Sequence, residues 1–342
     1  MATIKQIAML AGVSRGTVDR VLNKRGSVNP ATEKRIIDIA QAINYVPDLA
    51  GKTLALKKKQ LKFGYIHFGS TSSNPFFCDI IRGIESRAAE LADYGVTVTI
   101  KDSPIDKPDE QVHLIDELFD SGISGLVITP INHQVVAERL KKVTVAGIPV
   151  VTVNSDLPNS GRLAYVGSDY YNSGETAAGM MNIICGGEAK VGVIIGSPWV
   201  LCHSERLAGF RKRIETSYPG IQVVGLEVNH DDDLESFDVT RRLLEKNPQI
   251  DALFLAAAGV EGACRALEKL DLHGKIKIIS FDTTPIICEM VRKGVINATI
   301  DQEPFKQGAK PLSILMDYLG MDVVPDKEFY YTKAEIKITE NL

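Results

Sequence analysis

The chain has one tryptophan and only five cysteines among its 342 residues, and the cysteines, at 78, 185, 202, 264 and 288, form no CxxC pair. An odd, scattered set excludes a disulfide framework and a zinc ribbon. It reads as reduced, mostly buried thiols and points to a cytoplasmic protein. No apolar run approaches the ~20 residues of a membrane span, so no membrane partner is expected. The opening Met1-Ala2-Thr3 lacks the apolar core of a signal peptide. The phosphate-cradling GxxxxGK[ST] and hydrolase GxSxG patterns are both missing. With no evident nucleophile–base pair, metal set or cofactor motif, the expectation is a protein that is not an enzyme and carries no cofactor or metal.

Charge is nearly balanced overall, 39 basic against 43 acidic residues, but it is unevenly placed. Residues 1–60 hold 11 Lys+Arg and 4 Asp+Glu, whereas the remainder holds 28 and 39. A basic head on an acidic body fits a head that touches nucleic acid and a body that does not.

Two short amphipathic segments meet at a turn within that head. Ile4, Ile7, Ala8 and Ala11 fall at i, i+3, i+4 and i+7, Gly12 supplies a helix stop, and Ser14 has the character of an N-cap. The second segment, from Arg15 to Asn23, turns Val18, Val21 and Leu22 inward and Arg15, Gly16, Thr17, Arg20 and Asn23 outward. That is the layout of a recognition helix, although a surface helical hairpin with a solvated basic face would share the spacing. A third helix begins at Asn29-Pro30 and carries Ile36, Ile39, Ala40 and Ile43. After Pro47, residues 48–56 form a marginal helix that runs into Lys57-Lys58-Lys59, read as a basic linker that strengthens phosphate contact.

TIKQIAMLAGVSRGTVDRVLNKRGSV…NYVPDLAGKTL resembles the headpiece and hinge of the lactose/galactose repressor family (LacI/GalR type) over about 56 residues. The resemblance implies that Arg15, Gly16 and Arg20 face the major groove and that Thr3, Ser14, Thr17 and Asn23 contact phosphates. It also implies that Leu54 wedges into the minor groove at the operator centre, unstacking one base step. Three positions depart from the pattern. Asp19 stands where Ser is usual, and Gly51-Lys52 replaces Ala-Arg. Gly51 weakens a hinge helix by ~1 kcal/mol relative to Ala.

From Leu61 onward, β-rich runs alternate with helical patterns. Nine strands are expected, over 63–68, 96–101, 125–130, 149–154, 190–196, 222–228, 252–256, 275–281 and 298–301. Alternation of this kind means βαβ units. The expected fold is a small all-α helix-turn-helix headpiece on an α/β body of two doubly wound parallel-sheet subdomains, similar to periplasmic binding proteins. The domains are 1–47 (headpiece), 48–60 (hinge helix and linker) and 61–342 (ligand-binding and dimerisation body). The body's lobes are placed at 61–158 with 284–312, and at 159–283 with 313–342.

Ligands of such sheets bind at strand carboxyl ends, and with two lobes that means the cleft between them. Asn74, Phe76, Phe77, Asn154, Asp156, Trp199, His203, Arg206, Asp282 and Gln302 follow strand ends. Amides, carboxylates and an Arg flanked by aromatics suit a polyhydroxylated ligand, though each residue alone could be a cap or turn residue. NPFF, ISFDTTP and ATIDQEP also resemble ligand motifs of type I periplasmic sugar-binding proteins, whose fold the repressor family shares, and ERLAGF is similar to the segment where repressors carry a ligand-binding Arg. These resemblances imply that Asn74, Arg206, Asp282 and Gln302 bond the ligand and that Phe76 and Phe77 pack on it. Where such binders have Asn-Asp after the seventh strand, this chain has Ala256-Ala257-Ala258-Gly259. His230-Asp231-Asp232-Asp233 reads as a capped turn rather than a metal site, with Asp231 or Asp232 within reach of the cleft.

The resulting expectation is a dimeric transcription factor, a repressor, whose affinity for double-stranded operator DNA is set by a small effector such as a sugar, polyol or derivative. The alternatives are a solute-binding protein without a regulatory role and an effector of another kind, such as a nucleoside or phosphosugar.

Overall fold

The computed structural model describes residues 3–22, 28–43, 45, 49–68 and 75–342. The headpiece consists of α1 (Ile4–Ala11), α2 (Arg15–Leu22) and α3 (Pro30–Ala42). Thr3 caps α1 in a reciprocal box with Gln6, and Gly12 closes it at φ 64°, a left-handed position suited to glycine. The Ser14 hydroxyl accepts the Thr17 N–H at 3.1 Å, and the Asn29 side chain accepts from Ala31 at 2.9 Å. Ile7, Ala8, Ala11, Val18, Val21, Ile36 and Ala40 form the three-helix core, drawn from the apolar faces that the sequence displays.

Helix α4 (Leu49–Lys59) departs from expectation, because it continues through the lysine run. Its C-terminal turn is docked on the body. Leu56 is buried in the first lobe's core, and the Lys59 ammonium donates to the Leu319 and Gly320 carbonyls at 2.8 and 3.2 Å. Gly95, at φ 79°, lies so close that a Cβ there would stand 2.9 Å from the Lys57 Cα. The end of the basic segment is thus a structural joint as well as a source of positive charge.

Among the described residues the body has two six-stranded sheets. The strands are β1 (Lys62–Phe68), β2 (Thr97–Ser103), β3 (Gly125–Ile128), β4 (Val150–Val153), β5 (Ala164–Gly167), β6 (Ala189–Ile195), β7 (Ile221–Val228), β8 (Ala252–Leu255), β9 (Lys277–Phe281), β10 (Ala298–Asp301), β11 (Phe329–Tyr331) and β12 (Glu335–Lys337). The first sheet runs β11-β5-β4-β3-β1-β2, all parallel. The second runs β12-β10-β9-β8-β6-β7, parallel except for β12. The covering helices are α5 (Pro75–Ala92), α6 (Pro108–Asp120), α7 (Gln134–Val145), α8 (Tyr170–Ile184), α9 (Leu201–Ser217), α10 (Asp233–Lys246), α11 (Val260–Lys269), α12 (Pro285–Arg292) and α13 (Pro304–Leu315).

This topology corrects the lobe boundaries of 61–158 with 284–312 and 159–283 with 313–342. β5 lies in the first sheet and β10 in the second, while β11 returns to the first and β12 ends in the second. α8 packs on α9, and α13 packs on α5. The chain therefore crosses between lobes at 168–169, 302–303 and 332–334. The crossings are laced together. Ser168 and Thr332 share a hydroxyl hydrogen bond at 3.1 Å, Gln307 Nε2 donates to the Gln302 carbonyl at 2.9 Å, and Lys333 N–H donates to Glu303 at 2.8 Å.

Candidate ligand cleft and DNA-contacting helix

The strand carboxyl ends of both sheets face one cavity of about 40 Å³ at the lobe junction. From the first lobe, α5 brings in Phe76 and Phe77, packed edge to face with ring centroids 5.4 Å apart, and the end of β4 brings in Asn154. From the second, the first turns of α9 contribute Cys202, His203 and Arg206, and the ends of β7, β8, β9 and β10 contribute Asp231, Ala257, Ala258, Asp282 and Gln302. Asn154, Asp231 and Asp282 adopt positive φ of 63°, 62° and 76°. Asn and Asp tolerate that region best, and departures of this kind cluster at functional sites.

Arg206 is the centre of the second-lobe face. Its Nη1 donates to the Ala256 carbonyl at 2.8 Å and its Nη2 to Gln302 Oε1 at 2.6 Å. The guanidinium lies over the Phe281 ring at 3.8 Å and near the Tyr170 ring at 4.9 Å. Its Nε is buried and has no partner among the described residues. Gln302 passes the chain of bonds on, donating from Nε2 to Asp282 Oδ1. Burial pushes the Asp282 carboxyl up to about 6, against the opposing pull of Arg206 and Gln302.

His203 spans the Ser197 carbonyl, at 3.2 Å from Nδ1, and Asp231, at 3.6 Å from Nε2. Burial is the largest influence and would lower the imidazole, but the Asp231 carboxylate and the neighbouring Cys202 together outweigh it and hold the value at about 9. Asp231 is itself oriented by the Ser197 and Ala258 N–H groups, at 3.3 and 3.1 Å. Asp232, next to it, caps α10, as expected of a turn. Asn154 donates to the Tyr170 hydroxyl at 3.1 Å and to Gln307 Oε1 at 3.3 Å, which ties the first-lobe face to the crossings.

The structure therefore brings together Phe76, Phe77, Asn154, His203, Arg206, Asp282 and Gln302. Asn74 lies outside the described residues. Two expectations are corrected. Asp156 does not line this cavity, because Arg162 grips both of its oxygens, at 2.6 and 2.7 Å, and Thr152 donates to it at 2.7 Å. Trp199 does not line it either, and its ring rests against His133 with centroids 5.6 Å apart. Phe68, Ile105, Val200 and Cys202 line the cavity without being among the residues expected from the sequence. Only their position at or just beyond a strand end could have flagged them. Cys202 and Cys264 are buried, but Cys78, Cys185 and Cys288 are partly exposed, so fewer of the cysteines are buried than the sequence led one to expect.

In the headpiece, Arg15, Gly16 and Arg20 stand on the exposed side of α2, opposite the buried Val18 and Val21. Thr3 and Ser14 are exposed caps, and Ser14 and Thr17 share a 2.9 Å hydroxyl contact. Leu54 projects from α4 with 60% of its surface exposed. Asn23 lies outside the described residues.

Comparison with known proteins yields two family matches. A family of bacterial regulatory proteins, the lacI family, matches residues 3–48, and a periplasmic binding protein domain matches residues 66–321. The ribose import binding protein of Bacillus subtilis is 30% identical over 236 residues, 69% of this chain and 74% of that protein. The ribose operon repressor of Halalkalibacterium halodurans is 27% identical over 327 residues, covering 92% and 90%. Among solved structures, an ABC-transporter solute-binding protein from Burkholderia graminis in complex with D-arabinose has a TM-score of 0.76 at 25% identity, covering 82% of this chain and 96% of that one.

Proposed function

From the premise that the chain belongs to the lacI family of bacterial regulatory proteins, with a periplasmic-binding-protein domain as its body, we propose that it is a homodimeric repressor whose operator affinity is set by a small carbohydrate held between the lobes. The observation that carries this reading is Arg206, a buried guanidinium stacked on Phe281 at the seam of two lobes with one N–H left unpaired. An unpaired buried donor costs ~1–3 kcal/mol, which a ligand oxygen would recover.

Asp282 and Gln302 then serve as bidentate partners for adjacent hydroxyls, with Asn154 on the opposite face, and the Phe76 and Phe77 rings cover the apolar side of a sugar. Asn74 belongs to the same proposed set. The methyl groups of Ala257 and Ala258 line the cavity where a more hydroxylated ligand would need polar partners. That favours a ligand with one less polar edge over simple ribose.

On the DNA side, Arg15, Gly16 and Arg20 read the major groove, Thr3, Ser14, Thr17 and Asn23 hold phosphates, and Leu54 enters the minor groove. No helix among the described residues is long and apolar enough to cross a membrane, and a cytoplasmic location follows from work on chromosomal DNA. The effector acts by biasing a two-state equilibrium, because lobe rotation about the three crossings moves the first lobe on which α4 is docked. A thermal-shift screen of the full chain against sugars, polyols, phosphosugars and nucleosides tests the effector class. Ligand at ~100 times its Kd stabilises by about 2.7 kcal/mol. A response confined to nucleosides would refute the carbohydrate reading.

A further inference from the structure

A second cavity, of about 440 Å³, opens beside the crossings and outside the cleft. Its first-lobe wall is the loop from Asp156 to Arg162 together with Glu328 and Phe329 at the start of β11. Its second-lobe wall is Leu201 and Glu205 on the first turns of α9. Arg162 does not neutralise this wall. It is already committed to Asp156 and to Glu328, the latter at 3.0 Å, and lies over the Phe329 ring at 4.8 Å. Glu205, half-buried, accepts no hydrogen bond and has no cation within ion-pair distance among the described residues. Ser160, wholly buried in the same wall, has a hydroxyl without a partner among the described residues.

We propose that this cavity binds a small organic ammonium ion, which pairs with Glu205 and lays its methylenes on Leu157, Leu201 and Phe329, bridging the two lobes. The excess of carboxylates calls for a cation, and three observations select its kind. No three His, Cys, Asp or Glu side chains among the described residues cluster closely enough to hold a metal ion. The space far exceeds a bare ion. The walls alternate carboxylate with apolar surface, which matches a charged head on an aliphatic stem. Because Glu205 belongs to one lobe and the Asp156–Arg162 loop to the other, an occupant contacts both and biases their closure independently of the cleft ligand.

Burial, together with Asp156 and Asp169, pushes the Glu205 carboxyl up to about 7, and Arg206 pulls it down by less. Asp156, Asp169, Glu205 and Arg162 also face Tyr331 on β11. A bound ammonium ion favours the ionised form, so affinity falls as pH drops from 8 to 6.

The test is titration calorimetry of the full chain with putrescine at low salt. 1,4-Butanediol serves as the uncharged analogue and magnesium chloride as an ionic-strength match. One saturable site per chain is expected, with no heat from the diol and no competition by magnesium. Glu205→Gln should weaken binding about tenfold or more, and Leu201→Trp, which fills the cavity without altering charge, should abolish it. No saturable binding, equal displacement by magnesium, or unchanged affinity in both variants would each overturn the proposal.

Discussion

Gln302 accepts a 2.6 Å hydrogen bond from Arg206 while its backbone forms one of the three passages between the lobes. The residue that orients the buried cation of the cleft is thus part of the hinge. Its own carbonyl accepts from Gln307, whose Oε1 receives the first-lobe Asn154. The proposed ligand contacts and the crossings between the lobes share one polar network.

Gln302→Ala should therefore uncouple the two faces. It leaves Arg206 Nη2 and Asp282 each short of a partner, a loss of ~1–3 kcal/mol. Calorimetry should show weaker effector binding, and thermal melts a lower midpoint. A conservative Gln302→Glu, which supplies a carboxylate to Arg206 but repels Asp282, should restore stability only as the pH falls far enough for Asp282 to take up a proton. The lost Gln302 donor and the added carboxylate move that point above the wild-type value of about 6.

The His203–Asp231 pair predicts a stability slope. With a folded value of about 9 against ~6.5 unfolded, the imidazolium contribution is complete below pH ~6.5 and is lost as pH rises through 9. It amounts to no more than about 3 kcal/mol. Denaturant melts between pH 6 and 10 should show this decline in the wild type and a flatter profile in His203→Gln.

Arg20→Ala should weaken operator binding and relax base preference, because a bidentate Arg–base contact carries ~1–3 kcal/mol of discrimination. Thr17→Ala should weaken binding to all sequences more evenly, as expected of a phosphate contact. A gel-shift series on permuted operators distinguishes the two patterns.

Leu54→Ala should lower specific affinity and reduce DNA bending without altering the body, since Leu54 is exposed whereas Leu56, two residues on, is in the core. Circular-permutation assays measure the bend. An unchanged angle would make α4 a passive tether, with the departures at Gly51 and Lys52 as the physical reason.

The headpiece was legible because its signals are local: the caps at Thr3, Ser14 and Asn29 and the apolar spacing from Ile7 to Ala40 lie within a few residues of what they determine. Nine of the strands were legible for the same reason. β5, β11 and β12 were not. β11 and β12 are three residues long, too short for an alternation pattern, and only pairing with distant strands defines them. β5 is no shorter than β3, β4, β8 or β10 and takes its place from pairing with β4 and the distant β11. The lobe boundaries failed with them, because which sheet a strand joins is a tertiary fact. Among cleft residues, Arg206, Asp282 and Gln302 could be read from strand ends. Asp156 could not be excluded that way, since its removal from the cleft depends on Arg162 across a turned loop.

The most direct test of the account is operator affinity, measured by fluorescence anisotropy with and without the effector found by thermal shift, for the wild type and for Arg206→Ala and Asp282→Ala, alongside calorimetric effector affinity. The account predicts at least a tenfold effector-dependent change in wild-type operator affinity, abolished in both variants together with effector binding. Ligand-free affinity in the variants should stay within several-fold of wild type for an inducer. For a corepressor, the variants should remain in the weak-binding state whether or not effector is present. Wild-type effector affinity in both variants, or an operator response that survives them, would contradict it.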